Sequence, residues 1–158
     1  MFYGCRVSDT VIRRADPADV PGIERLVRDA FALYVPRIGR EPAPMSANYA
    51  AALENSRVWV LEADGRLVGA LVNEVHDDHL LLDTVAVAPG TQGRGYGARL
   101  LARAEQDARE LGLPEVRLYT NEKMTENQTF YPRHGYVETA RGEQDGYSRV
   151  FYAKRIIR

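Results

Sequence analysis

Val85-Ala86-Val87-Ala88-Pro89-Gly90-Thr91-Gln92-Gly93-Arg94-Gly95-Tyr96-Gly97-Ala98 joins a β-branched apolar run to an amphipathic helix through a loop with four glycines. Glycine has no Cβ, so the backbone N–H groups of such a loop can converge on one point. The helix start behind it adds unpaired donors and a partial positive charge. A strand–loop–helix junction of this kind suits a phosphate or pyrophosphate. A plain connecting turn is the alternative.

Upstream of the loop, three strands read as an antiparallel meander. They are Val58 to Leu61, Leu67 to Val75 and Leu80 to Val87, with turns at Asp64-Gly65 and at His76 to His79. Before them, Val7 to Arg14 reads as a strand. Asp16-Pro17 then opens a helix, with Ile23, Leu26, Val27, Ala30 and Phe31 at helical spacing. Val35 to Met45 holds three prolines and reads as a loop. Ser46 is placed to cap a short helix through Leu53.

Downstream, the helix is expected to bury Leu100, Leu101, Ala104, Ala108 and Leu111, and to stop at Gly112 and Pro114. Glu115 to Thr120 reads as a strand parallel to its predecessor, because a helix joins the two. Thr125 to His134 reads as a short helix with Pro132 near its end. Tyr136 to Arg141 and Tyr147 to Lys154 read as a final hairpin.

Bulk properties bound the remaining possibilities. The 158 residues fit a single domain, 1–158, with a real core. A hydrophobic fraction of 45% with 27% charged residues indicates a globular, soluble chain. The net charge of −1 supplies no global field toward nucleic acid or a membrane surface, and neither is expected as a partner. The one cysteine, Cys5, cannot form an internal disulfide, which fits a reducing cytoplasm. No apolar run approaches the roughly 20 residues that cross a bilayer, and Met1 to Thr10 lacks the apolar core of a signal peptide.

Read literally, Gly93-x-Gly95-x-x-Ala98 matches a dinucleotide-binding fingerprint, with Glu122 about 24 residues beyond it as the ribose acid. That would make the chain a nucleotide-cofactor oxidoreductase. Three features weigh against it: Pro89 to Gln92 separate the strand from the glycines, only one parallel crossover follows, and a meander precedes. No Gly-Lys-Ser/Thr follows, so a Walker A loop is excluded.

The motif Gln92-x-x-Gly95-x-Gly97, preceded by Val85-Ala86-Val87, resembles the acetyl-CoA signature of the GCN5-related N-acetyltransferase (GNAT) family. Asn127-x-x-Phe130-Tyr131-x-x-x-Gly135-Tyr136, about 35 residues further on, resembles that family's second motif. Ile12-Arg13-Arg14-Ala15-Asp16-x-x-Asp19 is similar to its opening strand and helix. The resemblance covers nearly the whole chain in the right element order. Its loops look like those of a small, loosely characterised branch with no assigned acceptor. It implies an α/β (α+β) fold: a mixed, mostly antiparallel central sheet, helices on both faces, and one parallel strand pair after the acetyl-CoA loop.

The resemblance also implies chemistry, namely direct transfer of an acetyl group from acetyl-CoA to a primary amine of a small molecule or peptide. Gln92, Gly93, Arg94, Gly95, Gly97 and Ala98 would hold the pyrophosphate. Main-chain groups of Val85, Ala86 and Val87 would pair with the pantetheine arm, on a strand that diverges from its neighbour. Tyr131 matches the position of the proton donor to the leaving thiolate, and Asn127, one turn earlier, is a further CoA contact. Many members carry an asparagine where this chain has Met124. The glutamate that many relatives use as base is replaced by Leu81, so Asp83, two residues on, is the first candidate for base or acceptor contact. Glu74 and Tyr119 follow it. Asp83 is expected on one strand face with Leu81 and Val85.

The acceptor would sit between Tyr34 to Tyr49 and Arg141 to Arg149. Arg37, Arg40, Arg141 and Arg149 offer a cationic lining for an acceptor that also bears an anion. No metal-ligand spacing is present, so no metal is expected. A catalytically silent acyl-CoA-binding module on the same fold is the other alternative, and a homodimer through the final hairpin stays open.

Overall fold

The computed structural model describes residues 10–91 and 93–156. Its strands are β1 (Thr10–Arg14), β2 (Arg57–Ala63), β3 (Arg66–Val75), β4 (Leu80–Val87), β5 (Glu115–Asn121), β6 (Val137–Gln144) and β7 (Tyr147–Arg155). Its helices are α1 (Val20–Phe31), α2 (Tyr34–Ile38), α3 (Tyr49–Asn55), α4 (Tyr96–Glu110) and α5 (Asn127–Arg133). The strands form one sheet in the order β1-β2-β3-β4-β5-β7-β6. Only β4 and β5 pair in parallel; the other neighbours are antiparallel. This is the mixed, mostly antiparallel sheet that the sequence implies, with one parallel pair after the glycine loop.

Turn chemistry sets the hairpins. Asp64 and Gly65 both take positive φ (52° and 80°), as do Asp145 and Gly146 (56° and 81°). Two consecutive positive φ values match the right-handed twist of the strands they join. The second turn is tighter than the Gly142 to Gly146 span suggests, so β6 runs on to Gln144.

Helices cover both faces. On one side Ile23, Leu26, Val27 and Phe31 of α1 pack with Tyr49 of α3 onto Val58, Val60, Ala70 and Val72. On the other, Leu100, Leu101, Ala104 and Ala108 of α4 pack onto Leu61, Leu71, Leu80 and Val116. Gly69 allows the second contact, since a Cβ there would lie 3.1 Å from Leu100 Cδ1. Each buried aliphatic side chain contributes about 1.5–3 kcal/mol, so these layers fix the sheet against the helices.

Several local expectations change. Asp16 does cap a helical start, its carboxylate accepting from Ala18 N at 2.9 Å, but a short 3₁₀ turn over Pro17–Asp19 precedes α1. The expected loop from Val35 to Met45 contains α2. Pro36 sits in the first turn of that helix, where its missing N–H costs no hydrogen bond, and Gly39 ends it with φ 85°. Asn48, not Ser46, caps α3: its side chain accepts from Ala51 N at 3.0 Å. Leu111 is not in the core, being 38% exposed at the end of α4; Leu113 turns inward instead. Positions 7–9 of the first expected strand lie outside the described residues.

The buried face of α4 also carries two carboxylates. Asp107 is fully buried and accepts from Trp59 Nε1 (2.8 Å), Asn73 Nδ2 (2.9 Å), Arg103 Nη2 (2.9 Å) and Arg57 Nη1 (3.3 Å). Glu105 accepts from the Tyr136 hydroxyl (3.1 Å) and Lys154 Nζ (3.0 Å). A buried charge is tolerated only when so partnered. Among the described residues, no helix is long and apolar enough to cross a membrane.

Candidate functional site

The site grows from a failure of strand pairing. β4 and β5 run side by side only from Leu80–Val116 to Leu82–Leu118 and then diverge. Beyond that point β4 keeps its antiparallel partner through Val85–Leu71, Ala86–Ala70 and Val87–Gly69. The opposite backbone edge of Val85 to Val87 has no strand beside it among the described residues. Unpaired backbone donors and acceptors of this kind are a template for an extended ligand.

A β-bulge marks where the divergence starts. Val72 lies opposite Thr84 and Asn73 opposite Leu82, which leaves Asp83 as the extra residue. A bulge interrupts the alternation of faces. Before it Leu80 and Leu82 pack under α4; after it Val85 and Val87 do, while Ala86 joins the α1 side. The expectation that Asp83 shares a face with Val85 as well as Leu81 therefore fails. The bulge breaks the strict alternation on which that expectation rests.

Below the splayed edge lies an open cleft. Val85, Ala86 and Val87 floor it, Tyr34 bounds it on one side, and Asn127 and Tyr131 on the other. Its mouth reaches the start of α4. Gly90, Gly93 and Gly95 take φ of 83°, 83° and 76°, conformations that a side chain would strain. Gly95 is the N-cap of the 15-residue α4, whose first N–H groups have no helical partner. Gly97 serves a second purpose: a Cβ there would stand 3.1 Å from Phe130 Cζ, so its absence lets α5 close on α4. Arg94 is exposed at this mouth, and Ala98 is half-buried in the first turn of α4. Gln92 lies outside the described residues.

Tyr131 stands at the inner end of the cleft. Its ring is fixed by Phe130, Tyr136 and Tyr152 at centroid distances of 5.3, 5.9 and 5.8 Å. Burial raises the pKa of its hydroxyl well above the usual tyrosine value, and the Tyr34 and Tyr152 hydroxyls add to this. The group therefore keeps its proton throughout the neutral range. Asn127 is held by its own amide, Nδ2 donating to Thr120 Oγ1 at 2.9 Å. Met124, at the position where many relatives have an asparagine, is buried in the α1-side core, and its sulfur accepts from Thr120 Oγ1 at 3.5 Å.

A second cleft shares Phe31, Val85, Asn127 and Tyr131 as lining with the first. Asp83, Tyr119 and Arg149 line it, and Pro42-Ala43-Pro44 form its roof. The Tyr119 hydroxyl donates to Asp83 Oδ1 at 3.3 Å across the gap between β4 and β5. Burial raises the pKa of Asp83, and the nearby Glu74 carboxylate raises it further; the Tyr119 hydrogen bond and the Arg149 charge oppose both. Glu74 itself lies outside the described lining and pairs with His76 Nε2 at 3.0 Å.

The roof is tied down at both ends. Arg37 donates to both carboxylate oxygens of Glu126, at 2.8 and 3.0 Å, linking α2 to the start of α5. The Tyr147 hydroxyl donates to Glu41 O at 2.7 Å, and Arg40 lies over the Tyr147 ring at 4.1 Å. Arg141 is engaged with Glu138 at 2.8 Å. Of the four arginines expected to line the acceptor side, only Arg149 lines this cleft.

Among the described residues no three His, Cys, Asp or Glu side chains gather to hold a metal. His76 and His79 stack on one another at 4.6 Å, and the His134 Nδ1–H donates to Phe130 O at 2.9 Å, closing α5.

The roof and Arg149 are what local sequence reasoning leaves undifferentiated. Pro42 to Pro44 look like generic loop, and Arg149 looks like any strand arginine until Tyr119 and Tyr147 are brought around it.

Residues 54–138 match the family described as "Acetyltransferase (GNAT) domain". The chain is 36% identical over 132 residues to the amino-acid acetyltransferase of Mycobacterium tuberculosis, an overlap of 81% of this chain and 68% of that one. It is 36% identical over 58 residues to the aminoalkylphosphonate N-acetyltransferase of Salmonella typhimurium, covering 37% of this chain and 38% of that one. Its fold is similar to PaiA N-acetyltransferase of Thermoplasma acidophilum, solved in complex with coenzyme A. That match has a TM-score of 0.78 and 17% identity, covering 93% of this chain and 99% of that one.

Proposed function

The chain belongs to the GNAT acetyltransferase family, and from that premise we propose direct transfer of an acetyl group from acetyl-CoA to the primary amine of a small molecule, carried out by a single domain. One observation carries the proposal. The cleft under the free β4 edge and the cleft holding Asp83 are neighbours, with Phe31, Val85, Asn127 and Tyr131 lining both. A donor and an acceptor entering from opposite sides would meet there.

The residues fit acetyl-CoA at each part of its length. Positive-φ glycines before the α4 N-terminus suit a pyrophosphate. The unpaired edge of Val85 to Val87 suits the amide-bearing pantetheine arm as an added strand. When bound, acetyl-CoA supplies an activated acyl carbon, which gains a bond to the amine nitrogen as its C–S bond breaks, the electron pair leaving on sulfur. A backbone N–H of Val85 to Val87 stabilises the charge that develops on the carbonyl oxygen.

Asp83 takes a proton from the acceptor ammonium before attack. An ordinary carboxylate pKa of about 4 makes a weak base at neutral pH, and burial moves this one in the useful direction. Tyr131 holds a proton at Oη toward the sulfur. A thiol pKa is about 8.5 and an ordinary phenol about 10. With the phenol raised further, Tyr131 stabilises the departing sulfur mainly by donating a hydrogen bond, and water completes the protonation.

The test is coenzyme A release with mass-spectrometric detection of the N-acetyl product across a panel of primary amines. The proposal expects one acetylated amine per thiol released. It also expects thermal stabilisation by acetyl-CoA, of roughly 2.7 kcal/mol at 100 times its dissociation constant, and none by NAD(H). Stabilisation by acetyl-CoA with no amine acetylated would leave a silent binding module. Stabilisation by NAD(H) alone would reject the proposal.

A further inference from the structure

Arg149 is the one charged side chain of the acceptor cleft that is nine-tenths buried, at 6% exposure. A guanidinium loses hydration when buried and needs compensation. Its partners here are few. Gln144 Oε1 accepts one N–H at 2.9 Å. The Tyr119 ring takes its face at 4.0 Å, the Tyr119 hydroxyl is a further hydrogen-bond partner, and the Tyr147 ring lies at 5.5 Å. Among the described residues, Arg37, Arg57, Arg103 and Arg141 each pair with a carboxylate, and Arg149 does not. A guanidinium has five N–H donors in a planar fork. Part of that fork is left without a carboxylate partner, on the wall of a cleft that also holds Asp83.

On the proposed acetyl-transfer reading, we infer that the acceptor is an amine that also carries a carboxylate or comparable oxyanion, bound by Arg149. The two charges of such a molecule match the two charges of the cleft. The anion meets the Arg149 fork, a geometry suited to paired charge-assisted hydrogen bonds. The ammonium meets Asp83, which lines the same cleft. The aromatic rings of Tyr119 and Tyr147 hold the guanidinium in place, which lowers the entropy lost on binding. A polycation would face Arg149 without compensation. The class is therefore a compact amino acid-like anion.

Binding and turnover are measured separately to test this. L-α-amino acids and their decarboxylated amines are titrated calorimetrically into the protein saturated with coenzyme A. The same pairs are assayed for acetylation. The inference expects the acids to bind at least tenfold more tightly than the matched amines and to be acetylated with the higher kcat/KM. Arg149→Gln is expected to erase that ratio mainly through KM, leaving coenzyme A affinity unchanged. Arg149→Lys, which keeps the charge and spares the fold if the glutamine variant does not, is expected to retain part of it. Equal binding of acids and amines to the wild type, or preference for the amines, overturns the inference whatever the variants do. Acids that bind through Arg149 without being acetylated would sustain the anion site and sink the transfer reading. Acetylation of plain amines with no carboxylate preference would do the reverse.

Discussion

On the proposed function, the cleft under the β4 edge takes the donor and the cleft holding Asp83 the acceptor; the two share a wall but are built from different materials. The donor side is mainly main chain: the free edge of β4, three positive-φ glycines and the first turn of α4. Its side chains chiefly have to stay out of the way, as Gly97 does for Phe130. The acceptor side is made of side chains that come from distant segments: Pro42 to Pro44, Asp83, Tyr119 and Arg149. Backbone geometry is fixed by the fold and suits one constant ligand. Side-chain geometry can be exchanged at little cost to the fold, and suits a ligand that differs between relatives.

The sharpest way to break this comparison is Asp83→Asn. It is expected to lower kcat/KM by roughly 10²–10⁴, the usual worth of a positioned proton acceptor, with acetyl-CoA affinity intact. The same substitution should raise Tm at neutral pH. The folded-state pKa of Asp83 lies above its unfolded value, so the folded protein binds more protons in that window, and the carboxylate costs stability as pH rises through it. A variant that loses stability at pH 7 contradicts the assignment. On the activity side, the acid limb of kcat/KM is expected above the ordinary carboxylate range and absent in Asp83→Asn.

Tyr131→Phe comes next, with an expected loss in kcat of about 10²-fold and little change in acetyl-CoA dissociation constant. Because burial pushes this hydroxyl upward, no basic limb due to it should appear below about pH 10. A full rate in the phenylalanine variant, measured as thiol release under saturating substrates, would remove Tyr131 from the chemistry.

The donor half was the legible half. The glycine loop and the Asn127 to Tyr136 motif can be read in sequence because backbone conformations that need glycine leave a local mark. The meander, the parallel pair and the α1 and α4 faces follow from periodicity for the same reason. Three things were not legible. The bulge at Asp83 leaves no local signature, so face assignment by alternation failed beyond it. Helix α2 was hidden by Pro36, which sits in its first turn, where a helix accepts proline. The engagement of Arg37 and Arg141 with Glu126 and Glu138 depends on side chains brought together by the fold, so four equivalent arginines in sequence became one in structure.

Smaller effects sharpen the boundary between the halves. Gly97→Ala puts a Cβ 3.1 Å from the Phe130 ring edge, which must shift by a few tenths of an ångström. A several-fold rise in acetyl-CoA dissociation constant is expected by calorimetry, with kcat at saturation nearly unchanged. Arg37→Ala removes an exposed pair that ties the acceptor roof to α5. Such pairs contribute about 0.2–1 kcal/mol, so acceptor KM should rise by no more than about fivefold while acetyl-CoA affinity stays put. Larger loss of acetyl-CoA binding than of acceptor binding would show that the roof belongs to the donor half.

The account stands most directly on where coenzyme A lies. A crystal structure of the protein with coenzyme A decides it. The prediction is a pyrophosphate at the start of α4, a pantetheine arm hydrogen-bonded along Val85 to Val87, and the sulfur within hydrogen-bond reach of Tyr131 Oη. Coenzyme A with its arm outside the gap between β4 and β5, or with its sulfur remote from Tyr131, would contradict it.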